Sequence, residues 1–422
     1  MLRLIQRLIR MEWPVRLAAP FFGRFNPFLP EFRRDPYPVY ARLRREAPVY
    51  RSRPLGGWVL TRHRDIVAML ADPRSSVDRR QSNLFRKYNP FDSLPPEFAE
   101  AIFRNLLMLD APDHTRLRKL VVKAFTPRMV ERLRGRIEVL VDELLDAVEP
   151  HGAMDLVHDF AYPLPIIVIA EMLGLPPGDR ERLKVWSDDV ATLLDPFQAE
   201  NGLQDVERAF FDLKEYLEPI FAARRHEPRD DLISGLVAAR EGNDALSDAE
   251  LLSLCTILLA AGHETTTSLI GNAVLALLRH PEERRILGAT PDLRRAAVEE
   301  FLRYDSPVQL TDRVATEDLE IDGHRIRKGE LVGLLLGAAN RDPEVFAEPD
   351  RLRFDRGDVP HLAFSHGAHF CLGAQLARLE TEIAVGRLLE RFPAFDGPLE
   401  PPARKRSIVL RGPTQLPLRL RP

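Results

Sequence analysis

The chain has 422 residues with 60 Lys and Arg against 63 Asp and Glu, a net charge of -3, so no overall field draws in nucleic acid or another polyanion. Its two cysteines, Cys255 in an apolar run and Cys371 in a glycine-bracketed loop, do not form a secreted disulfide framework, and a reduced, cytoplasmic protein is expected. The 35 prolines fall between elements with no Gly/Ser linker or repeat, which predicts one compact unit, expected as a monomer.

The first stretch, MLRLIQRLIRMEW, sets Leu2, Leu4, Ile5, Leu8 and Ile9 on one side of a helical wheel and Arg3, Gln6, Arg7 and Arg10 on the other. Residues 1–25 thus read as an amphipathic segment ahead of a main body, 26–422. Arginine interrupts the apolar run too often for a spanning helix or a secretory leader. Such a helix ordinarily packs on its own domain, and peripheral membrane contact by residues 1–13 is the alternative. Strand signals follow at VYRSRP and GGWVLTRH, residues 49–63. The stretch 75–94, SSVDRRQSNLFRKYNPFDSL, is irregular, as binding loops often are. Helical periodicity then marks 113–149, 155–173, 178–193 and 203–225.

Residues 247–280 predict a long helix, with Ser247 and Glu250 in capping-box spacing and Pro281 as its stop. It is apolar nearly all round and should run through the protein's middle. Glu264 is costly there unless it finds a partner, a solvent channel or a raised pKa. The Thr265 hydroxyl can bond back to the carbonyl four residues earlier. Ala260, Ala261 and Gly262 have almost no side chain and predict a groove beside them.

A helix over 292–304 comes next, then strands between Asp312 and Val332 around an Asp-Gly turn, and a final helix over 372–391. The fold class is mainly α with small β-sheets. In FSHGAHFCLG, Gly367 and Gly373 bracket a tight loop that leaves Cys371 at a helix start, where free amides favour a thiolate. Three uses suit it: a nucleophile served by His366 or His369, a zinc ligand with His361, His366 and His369, or an axial ligand to haem iron. A buried, inert cysteine is the plain alternative.

Glu300 and Arg303 lie three apart on one helix face, and Arg351 is expected to join them in a buried network. His114 and Arg118 share a face four apart, and Arg313 begins a strand. With His369 they are four donors suited to two carboxylates of a planar ligand.

Together these residues resemble the cytochrome P450 family of haem-thiolate monooxygenases, the bacterial soluble kind in particular. FSHGAHFCLG is similar to the family's haem loop, AGHETT to its oxygen-activation motif and EFLR to its Glu-x-x-Arg pair. The resemblance implies the P450 fold as a single haem-binding unit. It implies Cys371 as proximal iron ligand of heme b, with His114, Arg118, Arg313 and His369 on the propionates and Ala261, Phe364 and Gly373 in contact. Glu264 and Thr265 would be the acid-alcohol pair that supplies protons to bound dioxygen, and Glu300, Arg303 and Arg351 a structural triad. Ser365 stands where many relatives have glycine, and Leu352 where an aromatic is frequent. No flavin or nicotinamide fingerprint follows the haem loop, so NAD(P)H serves indirectly through a ferredoxin or flavodoxin and its reductase. Arg116, Lys119 and Lys123 are expected to offer that partner positive charge. Phe85, Phe91, Leu258, Val308 and Leu310, with the segment Leu193 to Phe197, are the expected walls for a hydrophobic substrate. A peroxide-using enzyme and a non-catalytic haem protein are the rival readings.

Overall fold

The helix Asp248–Arg279 is the axis of the protein. It is part of a computed structural model that describes residues 12–87, 94–194, 203–242, 244–398, 400 and 402–421. The predicted capping box forms in full: Ser247 Oγ accepts the Glu250 N–H and the Glu250 carboxylate accepts the Ser247 N–H. From Leu269 to Leu278 the helix is buried on every side, as its uninterrupted apolar sequence requires. Helices Pro163–Leu173, Arg180–Ala191, Gln204–His226, Arg294–Tyr304 and Ala374–Arg391 pack around it. Their apolar stripes and its own form the largest core.

A five-stranded sheet lies beside this helical body. Its order is Val49–Ser52, Gly57–Leu60, Leu331–Leu334, Thr311–Ala315 and Ser75–Ser76. Val332 faces Trp58 in the one parallel pairing and Arg313 in an antiparallel one, which fixes where Arg313 projects. Strands Leu319–Ile321 and His324–Ile326 close the predicted Asp-Gly hairpin, with φ of 49° at Asp322 and 74° at Gly323, the positive pair that a tight two-residue turn demands. A smaller sheet joins Ala394–Asp396, Pro417–Arg421 and Ala153–Asp155.

Several predicted boundaries shift. The run 113–149 is three helices, Asp113–Ala124, Pro127–Arg132 and Arg134–Val148, because Thr126 caps a new start and Pro127 occupies its first turn. Within 75–94 the described part is ordered as a short strand, a turn Arg79–Gln81 and a helix Asn83–Lys87. Among the described residues, one stretch, Leu156–Leu173, is long and apolar enough to cross a membrane, and 67% of it is buried inside the protein. The helix Glu12–Phe22 buries Val15 and turns Trp13, Leu17 and Phe21 outward; the amphipathic stripe Leu2, Leu4, Ile5, Leu8 and Ile9, and with it the packing expected of that stripe, lies outside the described residues.

Candidate functional site

The cysteine loop is held by its backbone. The Cys371 N–H donates to the Phe364 carbonyl at 3.0 Å, and the residues between them turn through Gly367 at φ 72° and Ser365 at φ 64°. Of the two expected glycine turns, Gly367 is left-handed but Gly373 is not: it caps the helix Ala374–Arg391 at φ −83°, with open space where a side chain would stand. The second left-handed residue is Ser365. Cys371 is exposed by area, yet burial pushes its thiol up, against the Gly373 amide, Arg118 and Arg378, which favour the thiolate. The helix start alone does not supply a thiolate, and a metal cation would.

Neither simpler use of the cysteine survives. No hydrogen bond among the described residues joins it to His366 or His369, and no group of three or more His, Cys, Asp or Glu converges on a metal position there. His361 is committed to Glu299, 3.0 Å away.

The four expected donors do converge. The rings of His114 and His369 stack 4.1 Å apart, and burial first, then the charges of His114, Arg313 and Arg118, drive the His369 pKa down to about 3. Arg313 is 5% exposed and, among the described residues, hydrogen-bonds only to the Asp312 carbonyl and Thr311 Oγ1. Arg118 reaches the Phe370 carbonyl. Neither arginine has an ion pair among the described residues, and His114 Nε2 is buried with no partner. Buried cations without anions are costly. A planar group carrying two carboxylates, as haem does, fits this donor set.

On the central helix, Ile257, Leu258, Ala261, Gly262, Glu264 and Thr265 are only half-buried within an otherwise buried helix, which marks the groove. Ala260 is fully buried and belongs to the core instead. Thr265 Oγ1 donates to the Ala261 carbonyl at 2.8 Å, the back-bond its position predicts. Glu264 is paired with Lys405, 2.7 Å away on the C-terminal loop. Sequence reasoning missed this cation and the polar group behind it. His263 is fully buried, and since Ser187 Oγ donates to the Leu259 carbonyl, His263 Nδ1 carries the proton it shares with Ser187 at 3.0 Å. Burial, with Lys405 and Lys184, lowers its pKa to about 3. The Tyr162 hydroxyl donates to Asp188, whose carboxyl is raised chiefly by burial.

The Glu300 network corrects one expectation. Glu300 and Arg303 are both fully buried and paired through two hydrogen bonds of 2.6 and 2.8 Å. The second guanidinium on Glu300 is that of Arg356, at 3.0 Å, not Arg351. Arg351 points to solvent and pairs with Glu348, giving the network only its backbone carbonyl.

Residues 82–286 and 292–416 match the family model described as Cytochrome P450. The chain belongs to the cytochrome P450 family. It is 45% identical to Cytochrome P450 107B1 of Saccharopolyspora erythraea over 92% of this chain and 96% of that protein. It is 41% identical to the vitamin D(3) 25-hydroxylase of Pseudonocardia autotrophica over 93% and 95%. Among solved structures, P450BioI in complex with an acyl carrier protein ligated to hexadec-9Z-enoic acid superposes with a TM-score of 0.85 at 39% identity, covering 93% of this chain and 99% of that one. The protein is thus a haem-thiolate monooxygenase that uses haem and dioxygen, draws electrons from redox partners and oxidises a small organic substrate.

Two further expectations change in this P450. Arg116 is engaged by Asp244 and Glu250, and Lys123 by Glu241, so among the described residues only Lys119 of the three expected cations lacks an ion pair. Leu310 is 7% exposed and packs in the core with Phe25, Phe32 and Leu335, which removes it from the substrate wall. Phe85 is half-buried against Phe103 and Val308 half-buried at a bridge to Leu410. Phe91 and Phe197 lie outside the described residues.

Proposed function

We propose that Cys371 is the proximal ligand of a heme b, with His114, Arg118, Arg313 and His369 on its two propionates. The observation that carries this reading is the buried Arg313 guanidinium, which has no ion pair among the described residues, and the buried His114 Nε2, which has no hydrogen-bond partner, beside a cysteine at a helix start. Phe364 under the loop, Gly373 with open space beside it and Ala261 on the half-buried helix stripe suit contact with a flat ring. Bound there, haem supplies binding and reductive activation of dioxygen at a thiolate-ligated iron.

The remaining roles belong to the chain. Thr265, tied to Ala261, keeps its hydroxyl at the groove. Glu264 is the acid that passes protons toward it, and Lys405 holds that side chain in place. Electrons come from a ferredoxin or flavodoxin and its reductase, with NAD(P)H as their distant source. The apolar, half-buried stripe of Ile257, Leu258 and Ala261, with Phe85 and Val308 as further walls, suits a hydrophobic substrate such as a fatty acyl chain, terpenoid, steroid or polyketide. The relatives that act on vitamin D3 or bind an acyl carrier protein support that class. The cytoplasm is the compartment in which free Cys255 and Cys371 persist.

The test is spectral and kinetic. Reduced protein under carbon monoxide should show the red-shifted absorption of a sulfur-ligated haem, and Cys371→Ser should lose it. With a surrogate ferredoxin and reductase, NADH consumption should match product. Glu264→Gln and Thr265→Ala should divert reducing equivalents to peroxide, while unchanged coupling in both would refute their role. Turnover with peroxide alone would favour a peroxygenase, and binding of haem without turnover of any compound a non-catalytic protein.

A further inference from the structure

We infer that the outward face of the helix Glu12–Phe22 is a docking surface for anionic lipid. Trp13, Leu17 and Phe21 are 64%, 68% and 70% exposed, the three most exposed large apolar side chains among the described residues. Spaced four apart, they line one face, and Arg16, Pro20 and Arg24 are exposed with them. The helix is fixed in this orientation. Val15 is buried on its inner side, Arg16 pairs with Glu31 at 2.7 Å, and Arg53 donates to the Phe21 carbonyl at 3.0 Å. A surface helix ordinarily buries its apolar stripe. Here the protein holds that stripe toward the outside.

Charge selects the occupant. Residues 1–24 contain five arginines, at positions 3, 7, 10, 16 and 24, and one acid, Glu12, a net of +4 that the pairs Arg16–Glu31 and Arg24–Glu46 reduce to +2. The same stretch carries Leu2, Leu4, Ile5, Leu8 and Ile9. Tryptophan, leucine and phenylalanine flanked by arginine is the composition that seats a helix at the boundary between headgroups and acyl chains. An anionic leaflet attracts each such arginine. A second copy of this chain would set two such net-positive segments against each other, which like-charge repulsion opposes.

The inference is independent of the haem assignment and is tested on the full, haem-loaded chain. Sedimentation with vesicles of phosphatidylglycerol and phosphatidylcholine should carry the protein down. Vesicles of phosphatidylcholine alone should bind it at least ~10-fold less, because the electrostatic attraction is lost. The variant Trp13→Ser/Leu17→Ser/Phe21→Ser should lose anionic-vesicle binding at least ~10-fold, since the buried apolar area sets that affinity. Its carbon monoxide spectrum should be unchanged, which shows that the fold persists. Equal binding by variant and wild type, or no binding of the wild type to either vesicle, would overturn the inference. So would a wild-type dimer that the variant converts to monomer in sedimentation velocity, because the face would then belong to a second copy.

Discussion

Arg356 and Arg351 are five residues apart in one loop, and the structure gives them opposite weights. The Arg356 guanidinium donates to Glu300 Oε1 and to the carbonyls of Ala347, Glu348 and Arg351. Its side chain is 7% exposed and that of Glu300 1%. Arg356→Ala deletes a charge-assisted bond and leaves the buried Glu300 carboxylate with one guanidinium where it had two, which should cost roughly 3–5 kcal/mol. Arg351→Ala removes a pair whose partners are 64% and 49% exposed and keeps the carbonyl that Arg303 and Arg356 use, so it should cost at most about 1 kcal/mol. Urea unfolding of the haem-loaded proteins, followed by far-ultraviolet circular dichroism and by the carbon monoxide band, measures both. Equal losses, or a loss below about 1 kcal/mol in Arg356→Ala, would refute the assignment of the buried network.

Arg313→Leu and His114→Ala should each speed haem transfer to apomyoglobin, with Arg313 the larger effect because its buried charge has no ion pair; haem retention equal to wild type in both would count against the propionate site. Ser365→Gly should raise stability by about 1 kcal/mol, since φ of 64° strains any residue with a Cβ and the Ser365 hydroxyl is buried without a partner; a melting scan decides it. Desolvation opposes ionisation of Glu299, but bonds from His361 and Arg378 outweigh it and hold the carboxyl at about 2. Its folded value is below the ordinary one of 4.5, so its contribution is complete above pH 4.5 and fades as pH falls through about 2. Glu299→Gln should therefore weaken the protein at neutral pH and flatten acid unfolding in that window; an unchanged acid slope would sink the reasoning.

What could be read from residues alone was local. The Ser247 capping box, the Thr265 back-bond and the Asp322-Gly323 hairpin each depend on neighbours within four positions, and each forms as expected. The break at Thr126-Pro127 was legible by the same rules and was obscured by the apolar period running through it. Arg356 was not legible, because Arg351, Arg353 and Arg356 share a loop with no repeating geometry to tell them apart. Long-range charge pairing was invisible as well. Arg116 finds Glu250, 134 residues on, and Glu264 finds Lys405, 141 residues on. The site's donors were recognisable because the residues that would hold haem sit in short motifs, whereas their electrostatic neighbours come from anywhere in the chain.

The segment from Arg404 to Arg411 fastens three separate places at once. Lys405 grips Glu264, Arg404 reaches Asn272 and Asp305, and Arg411 reaches Asp305 together with the carbonyls of Arg33 and Arg34. A polypeptide strap of this kind ties the seating of the acid on the central helix to how well the whole chain stays folded. Loosening any one of these rivets should therefore disturb the acid on the central helix and the fold together.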